Sequence, residues 1–250
     1  ADLVVAADGR HTTVRASAGL PTTDFGAPID VLWFHLPRTP EDPSRTGGTM
    51  RPGAMLVTLN RDTYWQCAFV IPKGSLEDLR SRGLPAFRQR VAEISGFLGD
   101  VVDRIASWDD VKLLSVQVSR MPRWWREGLL CIGDAAHPMS PIGGVGINLA
   151  IQDAVATANL LALPLREGRV TGEHLQAVQR RREWPTRVTQ RMQLAVQDAL
   201  LSPLLTRTDA PVGVPAPVRL LQRLPMLRRI PARVIGMGVR PERVRLPRAG

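Results

Sequence analysis

The chain has 250 residues, 44% of them hydrophobic, which is enough to bury a substantial core in one or two domains. Its net charge of +10 invites a nucleic-acid partner, yet residues 1–160 carry 16 basic against 17 acidic side chains, and residues 161–250 carry 17 arginines against 6 acids. An excess confined to one part of the chain speaks to partners and solubility; a solvated or anion-facing helical surface accounts for it without nucleic acid.

No apolar run reaches about 20 residues, the length that spans a bilayer, and no charged-then-apolar leader opens the chain. A cytoplasmic protein without an integral membrane segment is expected. Residues 3–7 (Leu-Val-Val-Ala-Ala) form the first element, a continuous apolar run that suits a parallel strand covered on both faces. Asp8-Gly9 then reads as a turn with an Asx cap.

From residue 26 to 118 the pattern changes. Residues 31–36, 54–59 and 64–70 are strand candidates, the last two joined by the hairpin loop 60–63. Residues 38–53, rich in Pro, Gly, Arg and Ser, read as a loop. Pro85 suits the first turn of a helix, and Phe87, Val91, Ile94, Phe97 and Leu98 recur at helical spacing as its buried stripe. Residues 111–118 supply a fourth strand. Trp33, Met55, Trp65 and Phe69 divide between core and the lining of an apolar cavity, and His35 reads as a structurally satisfied strand histidine.

Residues 128–162 carry the densest signal: a buried strand at 129–132, a turn opened by Gly133-Asp134, the loop Pro141-Ile142-Gly143-Gly144-Val145-Gly146, and an apolar helix. A glycine loop at a helix start suits an anion, because unpaired N–H groups and the positive end of the helix dipole meet there. The helix, residues 147–161, is expected to bury Ile151, Val155, Ala158 and Leu161 and to end at Pro164. A long arginine-studded helix at 174–196 is interrupted near Pro185, and from residue 202 eight prolines break the chain into pieces that include 218–224 and 226–235. Cys67 and Cys131, in separate predicted strands, read as free buried thiols. No metal-ligand spacing and no Ser-His-Asp constellation is present.

Gly133-Asp134-Ala135-Ala136-His137, Pro141, Gly144-x-Gly146-x-Asn148 and Asp153-Ala154, in that order, resemble the second flavin motif of the FAD-dependent aromatic hydroxylases, the para-hydroxybenzoate hydroxylase-like or class A flavoprotein monooxygenases. Asp8-Gly9, Thr12 and Arg15 resemble that family's internal Asp-Gly motif, with Thr12 in place of the commoner serine. Family members open with a strand, a G-x-G-x-x-G turn and a helix that hold the FAD pyrophosphate. That segment is not found here, so the chain reads as about the last two thirds of a family member.

The resemblance implies an α/β (α+β) fold. A partial Rossmann-like FAD-binding domain (1–25 and 119–165) surrounds a mixed-sheet substrate domain (26–118), and a helical region (166–250) follows. It implies FAD as cofactor, NADH or NADPH as reductant, and molecular oxygen with a small hydrophobic or aromatic substrate. Reduced flavin then adds oxygen to give a hydroperoxide that hydroxylates or epoxidises the substrate.

FAD would be held by Asp8, Gly9, Arg15, Gly133, Asp134, Pro141, Gly144, Val145, Gly146, Ile147 and Asn148. Asp134 would accept from a ribitol or ribose hydroxyl, Pro141 would lie against the isoalloxazine, and the N–H groups of Gly144, Gly146 and Ile147 would aim at flavin N1 and the C2 carbonyl. Val145 replaces the family's common glutamine. His137 is mainly structural; with Pro141 it is the weak candidate for lining the reaction site, no side chain being assigned a catalytic role. A homodimer and peripheral membrane contact by the basic tail stay open. The rival reading is a truncated, non-catalytic remnant that acts as a basic interaction or membrane-surface module.

Overall fold

The computed structural model describes residues 1–206, 226 and 229–245. These group into two compact units, the first from 1–26, 117–195 and the described part of 216–250, the second from 27–116 and the described part of 196–215. The helical region from 166 onward is thus shared between the units, and the predicted piece 218–224 lies outside the described residues.

The first unit opens with β1 (Val4–Ala6) and α1 (Thr13–Ser17). Gly9 between them has φ +87°, a conformation that glycine adopts at little cost. The Thr12 hydroxyl caps α1 by accepting the Arg15 N–H at 3.1 Å. A two-residue strand, β2 (Thr23–Asp24), closes this segment.

The second unit is an antiparallel sheet of β3 (Ile29–Pro37), β4 (Gly47–Arg51), β5 (Ala54–Asn60), β6 (Tyr64–Pro72) and β7 (Lys112–Leu114), ordered β4-β5-β6-β3-β7, with helices α2 (Leu76–Ser81) and α3 (Leu84–Ile94). β4 lies inside the stretch read as a loop. Its Gly47-Gly48 start carries no strand propensity, and pairing with β5, Gly47 opposite Thr58, makes it a strand. Pro85 stands in the first turn of α3, and Phe87, Val91 and Ile94 bury against Leu32, Phe34, Leu36, Leu56 and Phe69.

The predicted strand 111–118 contracts to β7 because Lys73 and Asp30 claim its end. The Lys73 ammonium donates to Asp30 Oδ1 at 2.8 Å, Ser115 Oγ at 2.9 Å and the Val116 carbonyl at 2.7 Å. Asp30, 3% exposed, also accepts the N–H groups of Gly74 and Val116 at 3.0 Å each. Burial pushes its carboxyl up, but these donors outweigh it and hold Asp30 below the usual carboxylate range. Cys67, in the core on β6, has its thiol pushed up by burial to about 12.

The chain then returns to the first unit. β8 (Ser119–Arg120) pairs with β2, and β9 (Trp125–Arg126) leads into β10 (Leu129–Cys131), which lies parallel to β1 with Val4 opposite Leu129. Next come α4 (Gly146–Arg166) and α5 (Gly172–Val196). A π-turn (Gln197–Leu201) and α6 (Ser202–Thr206) follow in the second unit, and α7 (Arg229–Met237), in the first, is the last helix among the described residues.

Both predicted proline breaks are absent: α4 runs through Pro164, and α5 runs through Pro185. Each proline removes one backbone rung, but Pro164 stands within three residues of the end of α4, and both prolines are buried. Packing therefore offsets the lost bond.

The buried face of α4 also differs from the expected one. Leu161 is buried as predicted, but its companions are Leu149, Asp153, Ala156 and Thr157; Ile151 is 56% exposed and Ala158 is exposed. The helix is apolar nearly all round, so periodicity does not choose its face. The contacts of Asp153 do. Residues Ile142–Arg166 together are long and apolar enough to cross a membrane by length and composition, which corrects the reading that no run is; Asp153 in their middle is ion-paired within the first unit.

Lys73→Met leaves Asp30 buried without its cation. Denaturant unfolding should show a loss of about 2–3 kcal/mol, under the 3–5 of a fully buried pair because Lys73 is 41% exposed. Much of the loss should return in the double variant Asp30→Asn/Lys73→Met.

Candidate functional site

β1 and β10 bring the two sequence motifs together. The strands end side by side, with the Ile132 N–H donating to the Ala6 carbonyl at 3.0 Å, so the Asp8-Gly9 and Gly133-Asp134 turns leave the same end of the sheet. Arg15 bridges them by donating through Nη1 to the Ala135 carbonyl at 2.9 Å and through Nη2 to the Arg10 carbonyl at 3.3 Å. Arg10 in turn stands 3.5 Å from Asp134. The Asp8 carboxylate accepts the Thr13 N–H at 3.1 Å, and hydrogen bonding, from Thr12 first, holds it below the ordinary range.

Beneath this surface lies a buried ionic network. Asp153 Oδ2 meets His137 Nε2 at 2.5 Å and accepts the Gly133 N–H at 3.1 Å, while Oδ1 accepts from Arg182 Nε at 2.9 Å. Asp153 and Arg182 are fully buried and His137 is 1% exposed. Burial alone would raise the Asp153 carboxyl; the partnership with His137 and Arg182 outweighs it and holds the group below its ordinary value. Gly133, at φ +59°, lets α4 approach, since a Cβ there would stand 3.0 Å from the Ala150 Cβ. His137 is thus enclosed in this network, with its Nε2 on Asp153. Arg182, some 30 residues downstream of Asp153, carries no local sequence signal and was missed.

The loop itself is open. Pro141 is half-buried, a single 3₁₀ turn (Ile142–Gly144) follows, and Gly143 and Gly144 have φ +76° and +64°. A Cβ on Gly144 would meet nothing within 4 Å. No side chain caps the first turn of α4, and Ile147 is 68% exposed. Two predicted contacts turn elsewhere: the Val145 side chain is buried with Met139 and Leu149, leaving only its backbone for a ligand, and the Asn148 amide donates to the carbonyls of Ile235 and Gly236 in α7 at 3.5 and 3.3 Å.

This donor set fits a flavin. Uncapped N–H groups at the positive end of a 21-residue helix suit a ring edge that gathers negative charge on reduction, and the glycines leave the backbone bare.

In the second unit, two of the four residues named for core or cavity lie in the core. Trp65 and Phe69 pack with α3 in the core. Trp33 and Met55 are half-buried on the opposite sheet face, whose β3 and β6 residues pair as Trp33 with Ala68 and His35 with Gln66. His35 on this face is exposed, its ring edge-on to Tyr64 with centroids 5.0 Å apart.

Residues 1–192 match the model of a family described as FAD binding domain. The chain belongs to the FAD-dependent aromatic hydroxylase family. Within this family it is 37% identical over 240 residues to a 6-methylpretetramide 4-monooxygenase of Streptomyces rimosus, covering 94% of the chain and 56% of the relative. It is 28% identical over 182 residues to the aklavinone 12-hydroxylase DnrF of Streptomyces peucetius, covering 65% of the chain and 34% of the relative. The fold matches the crystal structure of PqsL, a probable FAD-dependent monooxygenase of Pseudomonas aeruginosa, at a TM-score of 0.65 and 22% identity over 82% of this chain and 56% of PqsL. The chain spans little more than half the length of these relatives at most.

The buried network is testable without ligand. Asp153→Asn takes the carboxylate from His137 and from Arg182, whose guanidinium keeps Glu242 at 3.5 Å, and should cost about 3 kcal/mol in denaturant unfolding, the low end for breaking a buried pair. Because folding lowers the Asp153 carboxyl below its unfolded value of about 3.9, its contribution is complete above that pH and lost as pH falls through the folded value. Stability of the wild type should therefore drop below about pH 4 more steeply than that of Asp153→Asn. Gly144→Ala should lose about 1 kcal/mol through its left-handed backbone, whereas Gly146→Ala, whose Cβ would make an ordinary 3.5 Å contact with Met139, should unfold like the wild type.

Proposed function

We propose that the protein containing this chain is an FAD-dependent monooxygenase that uses NADH or NADPH to hydroxylate a hydrophobic, polycyclic aromatic compound of the polyketide kind. The observation that carries this reading is the meeting of the Asp8-Gly9 and Gly133-Asp134 turns, tied by Arg15, beside an open glycine loop and an uncapped helix start. The substrate class is supported by the relative named a 6-methylpretetramide 4-monooxygenase. Use of a nicotinamide donor supports a cytoplasmic location.

In this reading bound FAD would supply the redox chemistry, with electrons from the nicotinamide donor, one oxygen atom of O2 going to the substrate and the other leaving as water. The chain's residues position and shield. Asp134 accepts from a sugar or ribitol hydroxyl while Arg10 limits its charge. Arg15 keeps the two turns together, and Asp8 and Gly9 shape the first of them. Gly133 lets α4 approach the β10 turn, and Pro141 stiffens the backbone beside the ring. Val145, Gly146, Ile147 and Asn148 offer backbone N–H groups, whereas the Gly144 N–H donates to the Pro141 carbonyl at 3.0 Å and Gly144 contributes a bare backbone surface.

The pyrophosphate would be held by a strand, glycine turn and helix that these 250 residues do not include. Val4 and Val5, 45% and 41% exposed on β1, and the exposed stripe Ile147, Ile151, Ala154 and Ala158 on α4 are the surfaces on which such a segment would pack. The sheet face with Trp33, His35, Tyr64 and Met55 would receive the substrate, its apolar residues covering ring area and His35 addressing a phenolic or enolic oxygen.

FAD titration of the chain, alone and with a strand–glycine-turn–helix segment supplied, tests the cofactor. Saturable binding in either form is expected, and its absence in both would leave the remnant reading. Asp134→Ala should weaken FAD about tenfold, the loss of one hydrogen bond to a charged group. His35→Ala should raise KM for a polycyclic phenol several-fold with FAD affinity unchanged; an unchanged KM would remove this sheet face from substrate recognition.

A further inference from the structure

One face of α5 is polar and buried: Gln179, Arg182, Thr186, Thr189, Gln190 and Gln193 are each under a tenth exposed. Against it runs the buried segment Pro138-Met139-Ser140, continuing into Pro141 and Ile142. Prolines at 138 and 141 have no N–H, so the segment cannot be held as a laddered strand. Its buried carbonyls still need donors.

The donors come from α5. Gln190 Nε2 donates to the carbonyls of Ser119 at 2.8 Å and Pro138 at 3.2 Å. One turn on, Gln193 Nε2 donates to the carbonyls of Ser140 at 2.8 Å and Ile142 at 2.9 Å. Those two carbonyls stand immediately before and after Pro141. A single amide thus commits both of its N–H groups to the two sides of one residue. Its Oε1 is buried and has no hydrogen-bond partner, so Gln193 keeps this geometry while leaving an acceptor unsatisfied, which is costly unless the clamp matters.

We propose that Gln193 is a positioning residue for the flavin-ring loop: its side-chain amide pins the backbone on both sides of Pro141 and thereby sets where Pro141, Gly144 and the start of α4 stand before the cofactor arrives. The proposal rests on reading that loop as the flavin seat. The loop needs such a clamp, because consecutive glycines at positive φ leave its backbone with many accessible states, and a site ordered in advance binds more tightly than one ordered by its ligand. The clamp stands some 50 residues downstream of the loop, on a helix that the motif does not include. It also divides labour on α5: Arg182 fixes the turn at Gly133 through Asp153, and Gln193 fixes the loop at Pro141.

The test compares Gln193→Met, which keeps volume and removes both donors, with Gln193→Glu, which keeps acceptors only, and with Gln179→Met. The Gln179 amide holds the Pro122 carbonyl and the Trp124 N–H instead of the carbonyls beside Pro141, so its loss controls for the cost of a buried amide. The two methionine variants should lose similar thermal stability, and Gln193→Glu more, because it sets a buried carboxyl against two carbonyls. Only the Gln193 variants should speed amide hydrogen exchange at residues 142–147 in the ligand-free chain by tenfold or more. Under conditions where the wild type binds FAD, only they should weaken it about tenfold and shift the visible flavin spectrum. Gln193 variants with wild-type loop exchange, FAD affinity and spectrum would overturn the proposal, as would Gln179→Met producing the same changes. A wild type that never binds FAD would instead sink the flavin reading, and loop exchange in the ligand-free chain would still report on the clamp by itself.

Discussion

The first unit depends on how one buried carboxylate is satisfied. Asp153 is fully enclosed, and three donors from three directions meet it: the Gly133 N–H from the turn after β10, the His137 ring from the same turn, and the Arg182 guanidinium from α5. A buried charge with a missing partner costs several kcal/mol, so each donor must stand where it does. That requirement fixes the rotation of α4, which is apolar on nearly every side and has no other reason to present one face inward. It fixes Gly133 as well, because the rotation that buries Asp153 brings Ala150 against that backbone. Arg182 extends the same network to the C-terminal segment by donating to the Arg240 carbonyl at 3.0 Å, and Arg181 adds an ion pair to Glu242.

Much of this was legible in the sequence, and the part that was not has a common cause. The order of the Asp-Gly and Gly-Asp motifs, the strands at 31–36, 54–59 and 64–70, and the stripe Phe87, Val91 and Ile94 follow from local pattern, because turn residues and periodicity act within a few positions. β4 was invisible because its strand character comes from pairing with β5. The inward face of α4 was misread because hydrophobic periodicity cannot see a polar residue that seeks a charge 29 positions away. The prolines at 164 and 185 were read as breaks, since the rule that assigns them is local and the packing that overrides it is not. Within the site, Asp8, Asp134 and the glycines announced themselves; Arg182 and Gln193 did not, because each acts on backbone far upstream.

The orientation that Asp153 imposes leaves Ile147, Ile151, Ala154 and Ala158 on an exposed face, and β1 presents Val4 and Val5 beside a strand edge that is unpaired among the described residues. Helix stripe and strand edge belong to one unit and are both apolar. A parallel strand of continuous apolar residues is built to be covered on both faces, and an open edge invites a further strand. The Asp153 contacts that set the inward face of α4 therefore also leave an apolar surface open to a further element.

The glycines separate what the chain needs for itself from what a ligand would need. Gly133 is required by the chain, since a side chain would collide with Ala150. Gly143 and Gly144 are required by the turn, which runs through the left-handed region at both. Gly146 is required by neither: it opens an ordinary helix, its φ is not in the left-handed region, and a Cβ there would touch Met139 at a normal distance. A helix start usually carries a side-chain cap, yet the position before Gly146 is Val145, buried and without a capping bond. Glycine where nothing internal asks for one, at a helix start left uncapped, leaves space and backbone N–H groups to solvent or to a ligand, and a flat, electron-rich ring edge would use both at once.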